Sequence, residues 1–412
     1  MDARFLQIHT LTSYPAALLN RDDAGFAKKI PFGGAVRTRV SSQCLKRHWR
    51  DFTGECSLRE LRQPYSVRSR YTFENLIVKE LIEDGLAESL VRTVTTKVME
   101  LVLGKSKKAE KAEEKKADAK KKSGEDGEAP VLQTSQLTVL GRPEVDYLKD
   151  IVRKAVSGAA DAKQAEALLA KLFDKEMKKN LQALKLAAGL DAALFGRMVT
   201  SDILARCDAA IHVAHAFTVH EQASEPDYFS AMDDLLRESK TSELGSAHIN
   251  TTDLTSGLFY SYVVVDVPHL VSNLEGCRPE DAGDADRDLA AGVVKSLIHL
   301  MATVSPGAKL GSTAPYACAS FAMVECGRSQ PRTLANAFLK PVDLKSESDL
   351  LADTYRALAG FMRDEDTMYG IRFTKNLAGM GSLAPILEVL EMKKPSSLKE
   401  LAEWAADNVR RG

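Results

Sequence analysis

Two spacings of apolar residues divide the chain. One is a period of about 3.6, which marks an amphipathic helix; the other is a period of about 2, which marks a strand. The helical spacing dominates from Leu58 to Leu103, as in ENLIVKELIEDGLAESLVRTV (74–94), and resumes around 143–156 and 161–194. The strand spacing appears first at Phe5–Leu11, a short strand entering a loop over 12–35. It returns after Gly196 in the β-rich AAIHVAHAFTVHEQ (209–222). A loop, EPDYFSAMDDLL, and a charged stretch, RESKTSELG, then lead to SGLFYSYVVVDV (256–267). Apolar residues there fall on odd and even positions alike, which predicts a strand buried on both faces. ADRDLAAGVVKSLIHLMATV (285–304) predicts a long amphipathic helix, SPGAKLGSTAP (305–315) a Gly/Pro loop, and SLKELAEWAADNVRR (397–411) a closing helix. There is no internal repeat. The pattern predicts an α+β core interrupted by a largely helical insertion and a smaller β insertion.

The densest information lies between Leu19 and Arg50, LNRDDAGFAKKIPFGGAVRTRVSSQCLKRHWR. Arg37, Arg39 and Ser41 are two apart, so in a strand they share one side, while Val36, Thr38 and Val40 face a core on the other. Ser41 or Ser42 is placed to cap a helix. Leu45, Trp49 and Phe52 form its apolar stripe with His48 beside it, and Lys46 and Arg50 lie on a different face. Eight cations (Arg21, Lys28, Lys29, Arg37, Arg39, Lys46, Arg47, Arg50) thus surround a Gly-Gly turn and a helix start. Such a group is either a phosphate-binding surface or an ordinary solvated basic face.

Composition narrows the choice. The 412 residues suffice for two or three domains, and 44% hydrophobic content is that of a globular protein. A formal net charge of −1 excludes a globally cationic coat, so nucleic-acid binding has to come from local patches. No apolar run reaches membrane-span length, and MDARFLQIHT lacks the features of a signal peptide, so a cytoplasmic location is expected. The six cysteines contain no C-x-x-C pair and suit a reducing compartment as buried thiols. Lys105–Pro130 changes character sharply. Its first half reads as a solvated helix and its second half as a mobile segment without core-forming residues.

Few residues suggest chemistry. His212, His215 and His220 invite a metal, but strand-forming neighbours put His212 and His215 on opposite faces and no cysteine or carboxylate completes a ligand set. No metal and no cofactor is expected. Asp22 and Asp23 either bind magnesium or act in acid–base chemistry, or they pair with Arg21, Lys28 or Lys29 or with a neighbouring subunit. No P-loop, nucleophile elbow or zincin motif is present. Met198 and Phe229 are apolar residues in polar segments, suited to wedge between bases or to belong to a core. Lys309 sits on a Gly-containing loop where an amine and backbone N–H groups meet an anion.

The order N-R-D-D, F-G-G, R-x-R-(V/I)-S-S-Q-x-L-K-R resembles the opening of the CasC-type backbone subunits of the type I-E CRISPR surveillance complex, Cascade, in the RAMP superfamily. GRMVTSD (196–202), AHAFTVH (214–220), SAHINTTDLTSGLFY (246–260) and SPGAK with LANAF (305–309, 334–338) resemble that family in the same order, so the likeness spans nearly the whole chain.

The resemblance implies a hand-like α+β fold. Its palm has a modified RNA-recognition-motif (ferredoxin-like) fold and covers about 1–55 and 241–412. Helical fingers cover 56–200, with the Lys/Glu-rich insert at about 105–130, and a β-hairpin thumb covers 205–240. It also implies a non-catalytic subunit that polymerises along a CRISPR RNA, kinks it at regular intervals and presents it to target DNA in antiviral defence. The implied partners are the guide RNA, target DNA, copies of the chain, and the large, small, guide-5′-end and guide-3′-end subunits. Together with the basic strand and helix, the implied guide contacts are Arg21, Arg37, Arg39, Ser41, Gln43, Lys46, Arg50, Met198, Thr200, Ser201, Phe229 and Lys309. Lys171, Lys175, Lys178 and Lys179 are candidate DNA contacts or a solvated face. The alternative is a metal-dependent ribonuclease like the type III backbone subunits, using Asp22 or Asp23.

Overall fold

The structure is a computed structural model that describes residues 4–103, 131–173, 175–182, 184, 186–197, 204, 207–231, 248–344 and 349–412. The Lys/Glu-rich stretch and Met198, Thr200 and Ser201 lie outside the described residues. The architecture is α+β. Its strands are β1 (Phe5–Ala17), β2 (Lys29–Phe32), β3 (Ala35–Val40), β4 (Ser66–Ser69), β5 (Thr138–Gly141), β6 (Ile211–Val213), β7 (Ala216–Thr218), β8 (Ala223–Ala231), β9 (His248–Asp266), β10 (Phe321–Gly327) and β11 (Thr374–Gly379). The chain forms two compact units. One comprises Met1–Arg62, Ile211–Pro268 and Arg287–Gly412; the other comprises Gln63–Ala210 and His269–Asp286.

Among the described residues the first unit holds a nine-stranded sheet, ordered β11-β10-β1-β9-β7-β3-β2, with β6 and β8 also pairing β9. Its strand pairs are antiparallel. β1 is central, paired to β9 and β10, and Leu6, Ile8 and Leu11 are buried. On one face Leu11, Tyr260, Phe321 and Met323 pack against Tyr355, Leu358 and Met362 of helix Leu350–Tyr369 and Ile386 of helix Ala384–Val389. Helices Asp288–Thr303 and Leu398–Arg411 pack together on the other face, tied by Lys295 Nζ to Glu403 at 2.6 Å.

Within the first of these cores lies a buried polar chain. Tyr260 Oη donates to His9 Nδ1 at 2.9 Å, His9 Nε2 donates to Glu325 at 3.2 Å, and Arg332 grips both Glu325 oxygens. Burial alone would push the Glu325 carboxyl up, but the His9 and Arg332 hydrogen bonds outweigh it and hold it down at about 2. Burial likewise holds His9 below its ordinary value, so it donates as a neutral imidazole.

The second unit packs Phe73, Ile77, Leu81, Val91, Val94 and Val98 against Leu148 and Val152. Its two-stranded β4–β5 sheet is fixed by buried Asp191, which accepts from Ser66 N and Oγ at 2.7 Å each.

Three expectations need correction. β1 runs on to Ala17, and the loop expected over 12–35 contains β2. Among the described residues the helical run over 161–194 is broken into three helices, Ala162–Leu172, Lys175–Gln182 and Leu190–Phe195. The segment expected as a loop after Glu225 lies partly in β8, which pairs with β9 from Ala223↔Ser256 to Ala231↔His248.

Candidate nucleic-acid interface

Gly33 and Gly34 form the two-residue turn of the β2–β3 hairpin, with φ +62° and +78°. Glycine is the residue that takes two successive positive φ values without strain. At Gly33 a Cβ would also fall 1.6 Å from Leu339 O. The Gly-Gly pair is therefore a requirement of the hairpin and its packing.

The residues ahead of it close a small loop. Lys28 N donates to Asn20 O at 2.9 Å and Asp22 N to Phe26 O at 2.8 Å, while Asp22 Oδ1 accepts from Phe26 N at 2.9 Å. Asn20 Oδ1 accepts from Ser41 N at 2.9 Å, which sets this loop against the start of helix α1 (Ser42–Asp51). Ser41 caps α1, its Oγ accepting from Cys44 N at 3.3 Å, and Leu45 and Trp49 bury the apolar stripe.

A third segment joins them. His48 donates from Nδ1 to Cys44 O at 2.8 Å and accepts at Nε2 from Gly307 N at 3.4 Å. Ala308 N donates to Leu18 O at 2.9 Å, and Lys309 Nζ donates to Thr252 Oγ1 at 2.6 Å. Loop 18–28, the start of α1 and loop 305–309 are thus stitched into one surface despite wide separation in sequence.

On this surface Arg21, Lys29, Gln43 and Arg47 are exposed, and Lys28, Arg39, Lys46, Arg50 and Lys309 are half-buried. Lys28, Lys29, Arg39, Asp22, Asp23, Phe26 and Ala27 line an open hollow of about 500 Å³. Arg39 is held at its rim, with Nε donating to Lys29 O at 3.2 Å and Nη1 to His215 Nδ1 at 2.8 Å. Arg50 pairs with Asp51 at 3.3 Å, which offsets part of its charge. Ser41 directs its hydroxyl to its own helix and is nearly buried.

Arg37 departs from the expectation. It is fully buried, with Nη1 donating to Thr218 O at 3.0 Å and Nη2 to Phe338 O at 2.8 Å. Alternation did place Arg37 opposite Thr38, but the chain around Phe338 covers Arg37's side. Val36, expected in the core, is 43% exposed, because β7 pairs β3 only at Arg39 and Val40. Arg37→Met is expected to cost stability, about 1–3 kcal/mol for each carbonyl left without a donor. Urea unfolding should show the loss, while the salt dependence of RNA binding stays at the wild-type slope. A wild-type melt with a changed slope would return Arg37 to the interface.

The remaining candidates are elsewhere. Phe229 lies on β8, its backbone opposite Asn250, and its side chain lies outside the described residues. Lys171 is exposed at the end of helix Ala162–Leu172, while Lys175, Lys178 and Lys179 belong to the next helix. Exposed Lys179 and Lys171 are therefore not on one continuous helical face.

A family model for CT1975-like proteins matches residues 6–404, nearly the whole chain. The chain belongs to the CT1975-like family. Solved structures share its fold, two of them as follows. One, titled a CRISPR RNA-guided surveillance complex, pre-nicking, contains a chain 23% identical with a TM-score of 0.74, covering 98% of this chain and 100% of that one. The other, a CRISPR RNA-guided surveillance complex, contains a chain 21% identical with a TM-score of 0.62, covering 98% and 99%. No curated protein sequence matches the chain.

In this CT1975-like chain the three histidines have separate environments. His220 is buried, donating from Nδ1 to Glu221 O at 2.6 Å and accepting at Nε2 from Leu258 N at 3.1 Å. His215 meets Arg39, and His212 is exposed on β6. Among the described residues no group of three or more His, Cys, Asp or Glu is placed to hold a metal ion, and no helix is long and apolar enough to cross a membrane. Sequence reasoning missed Asn20, His48 and Thr252, which position the surface. Only Asn20 left a trace, as the first letter of N-R-D-D.

Proposed function

We propose that this chain is a crRNA-binding backbone subunit of a Cascade-type surveillance complex, of type I-E and cytoplasmic. The observation that carries the reading is the basic surface on which Arg21, Lys28, Arg39 and Lys46 gather around the start of α1 beside the Lys309 loop. Membership of the CT1975-like family and the fold shared with chains of surveillance complexes support it.

Cations and helix-terminal N–H groups grip phosphates without reading sequence. Bases then stay available, and specificity passes to pairing between guide and target DNA. Copies of the chain line up along the guide. β8 lies in the thumb, which reaches over the guide with Phe229 to kink it, and Met198, Thr200, Ser201 and Gln43 add contacts. The palm spans about 1–55 and 241–412 with an RRM-like core, the fingers 56–200 and the thumb 205–240. Lys171, Lys175, Lys178 and Lys179 are the candidate contacts to the target duplex, and the large, small and guide-end subunits complete the assembly.

The chain has no catalytic role in this reading. Asp22 supports that, since its carboxylate is engaged in closing the loop through Phe26 N. The test is incubation with a long single-stranded RNA, with and without a complementary RNA, in magnesium. The mass of the particle should rise in steps of one 45.0 kDa chain while the RNA stays intact. Regularly spaced cuts abolished by Asp22→Ala or Asp23→Ala would establish a ribonuclease instead. A complex fixed at one chain per long RNA would overturn the polymerising subunit.

A further inference from the structure

His215 joins β6 to β7 at a point where three other elements bring cations together: Arg39 from β3, Lys28 from the loop ahead of β2, and Lys46 from α1. Asp22 and Asp23 line the hollow that Arg39 borders. The Nδ1 of His215 accepts from Arg39 Nη1 at 2.8 Å, while Arg39 Nε donates to Lys29 O at 3.2 Å. These two anchors fix the plane of the guanidinium, and neither uses Nη2. A guanidinium fixed in plane is suited to a phosphate, because less freedom is lost when its fork closes on two oxygens.

The first anchor holds only while the imidazole is uncharged, since an imidazolium has no acceptor nitrogen. His215 is exposed, and partial desolvation, then the fields of Arg39, Lys28 and Lys46, keep it below its ordinary value, so at neutral pH it is an acceptor. A phosphate seated among the same three cations would cancel their field. It would also offer the imidazolium an oxygen to donate to.

We propose that His215 is a positioning residue of the phosphate site, holding Arg39 in place while neutral and taking up a proton to become a further cation when phosphate binds. The inference rests on the RNA-binding reading above and goes beyond it, in that guide binding becomes linked to proton uptake at one named group. The sign follows from reciprocity: a site that gains a proton on binding binds more tightly as pH falls. The gain sets in as pH drops through the value His215 has in the complex. It levels off below the value His215 has in the free chain, which lies under about 6.5.

The test is the affinity for labelled poly(U) RNA at constant ionic strength, measured from about pH 8 down to about pH 5.5, spanning the ordinary titration of histidine. Wild type should tighten by roughly three- to tenfold across that range, since one unit of pKa rise corresponds to a factor of ten. His215→Asn cannot titrate and should give a flat profile. Its amide oxygen takes the place of Nδ1 and accepts from Arg39, so at pH 8 it should bind more tightly than His215→Ala. A His215→Asn profile that follows wild type, or Asn and Ala variants indistinguishable from each other at pH 8, would overturn the role. Wild type that binds at pH 8 with a normal salt dependence but does not tighten in acid would remove His215 alone. Absence of salt-dependent binding at pH 8 would remove the RNA-binding reading, and this inference with it.

Discussion

Arg197→Met is expected to destabilise the compact unit that holds it by about 3–5 kcal/mol, the cost of leaving one member of a buried ion pair without its partner. Both side chains of the Arg197–Glu144 pair are fully buried. Arg197 Nη2 donates to Glu144 Oε1 at 2.8 Å and Nη1 to Oε2 at 2.5 Å, and Nη1 also reaches Val139 O of β5 at 3.4 Å. Glu144 in turn accepts from Gly141 N at 2.9 Å and so secures the start of helix Arg142–Ser157. Met in place of Arg leaves that carboxylate in an apolar interior. The double variant Arg197→Met with Glu144→Gln should recover more than half of the loss, because the neutral amide still accepts from Gly141 N and no bare charge remains. Urea unfolding of the three proteins measures this. A single variant within about 1 kcal/mol of wild type would show that the pair contributes no more than a surface bridge does.

Helix α1 was legible because its cap, stripe and polar face lie within ten residues, and Leu45 and Trp49 are buried as the spacing requires. The long strand at 256–267 was legible for the same kind of reason. Its apolar run needs cover on both sides, and Leu258, Phe259, Tyr260, Val263, Val264 and Val265 all have it. β8 left no such mark. Among the described residues it pairs only with β9, and residues Ser224–Tyr228 have little cover, so nothing selects an alternating pattern and Pro226 is tolerated.

Arg37 shows the limit at the site itself. Alternation assigns a residue to a face but is silent on what covers that face, and the covering chain at Phe338 is 301 residues away. His48 and His215 escaped notice as positioning groups for the same reason, since Gly307 and Arg39 come from distant segments. What identified the basic surface in the sequence was the order of its short motifs. The structure adds the hydrogen bonds of Asn20, Ser41 and His48 that draw those motifs together.

Reversing two charges on that surface, Arg21→Glu with Lys46→Glu, is expected to give the largest loss of RNA affinity. Arg21 is exposed in the loop that Asn20 ties to the start of α1, and Lys46 sits one turn into α1 with its field reaching His215 alongside Lys28 and Arg39. Neither residue is buried, so the fold should be retained and urea unfolding should overlay wild type. For a single strand, each phosphate deprived of its cation changes the slope of log affinity against log salt by about 0.7, so two such phosphates flatten it by about 1.4. The weakening should be greatest at low salt and shrink as salt rises, because screening already removes the wild-type advantage there. The decisive measurement is therefore that slope for single-stranded RNA, wild type against the double variant. A slope flatter by about 1.4 with an unchanged melt is the expected result. An unchanged slope and affinity in a folded double variant would contradict the account, because the surface built around α1 would then not be where the guide's phosphates are held.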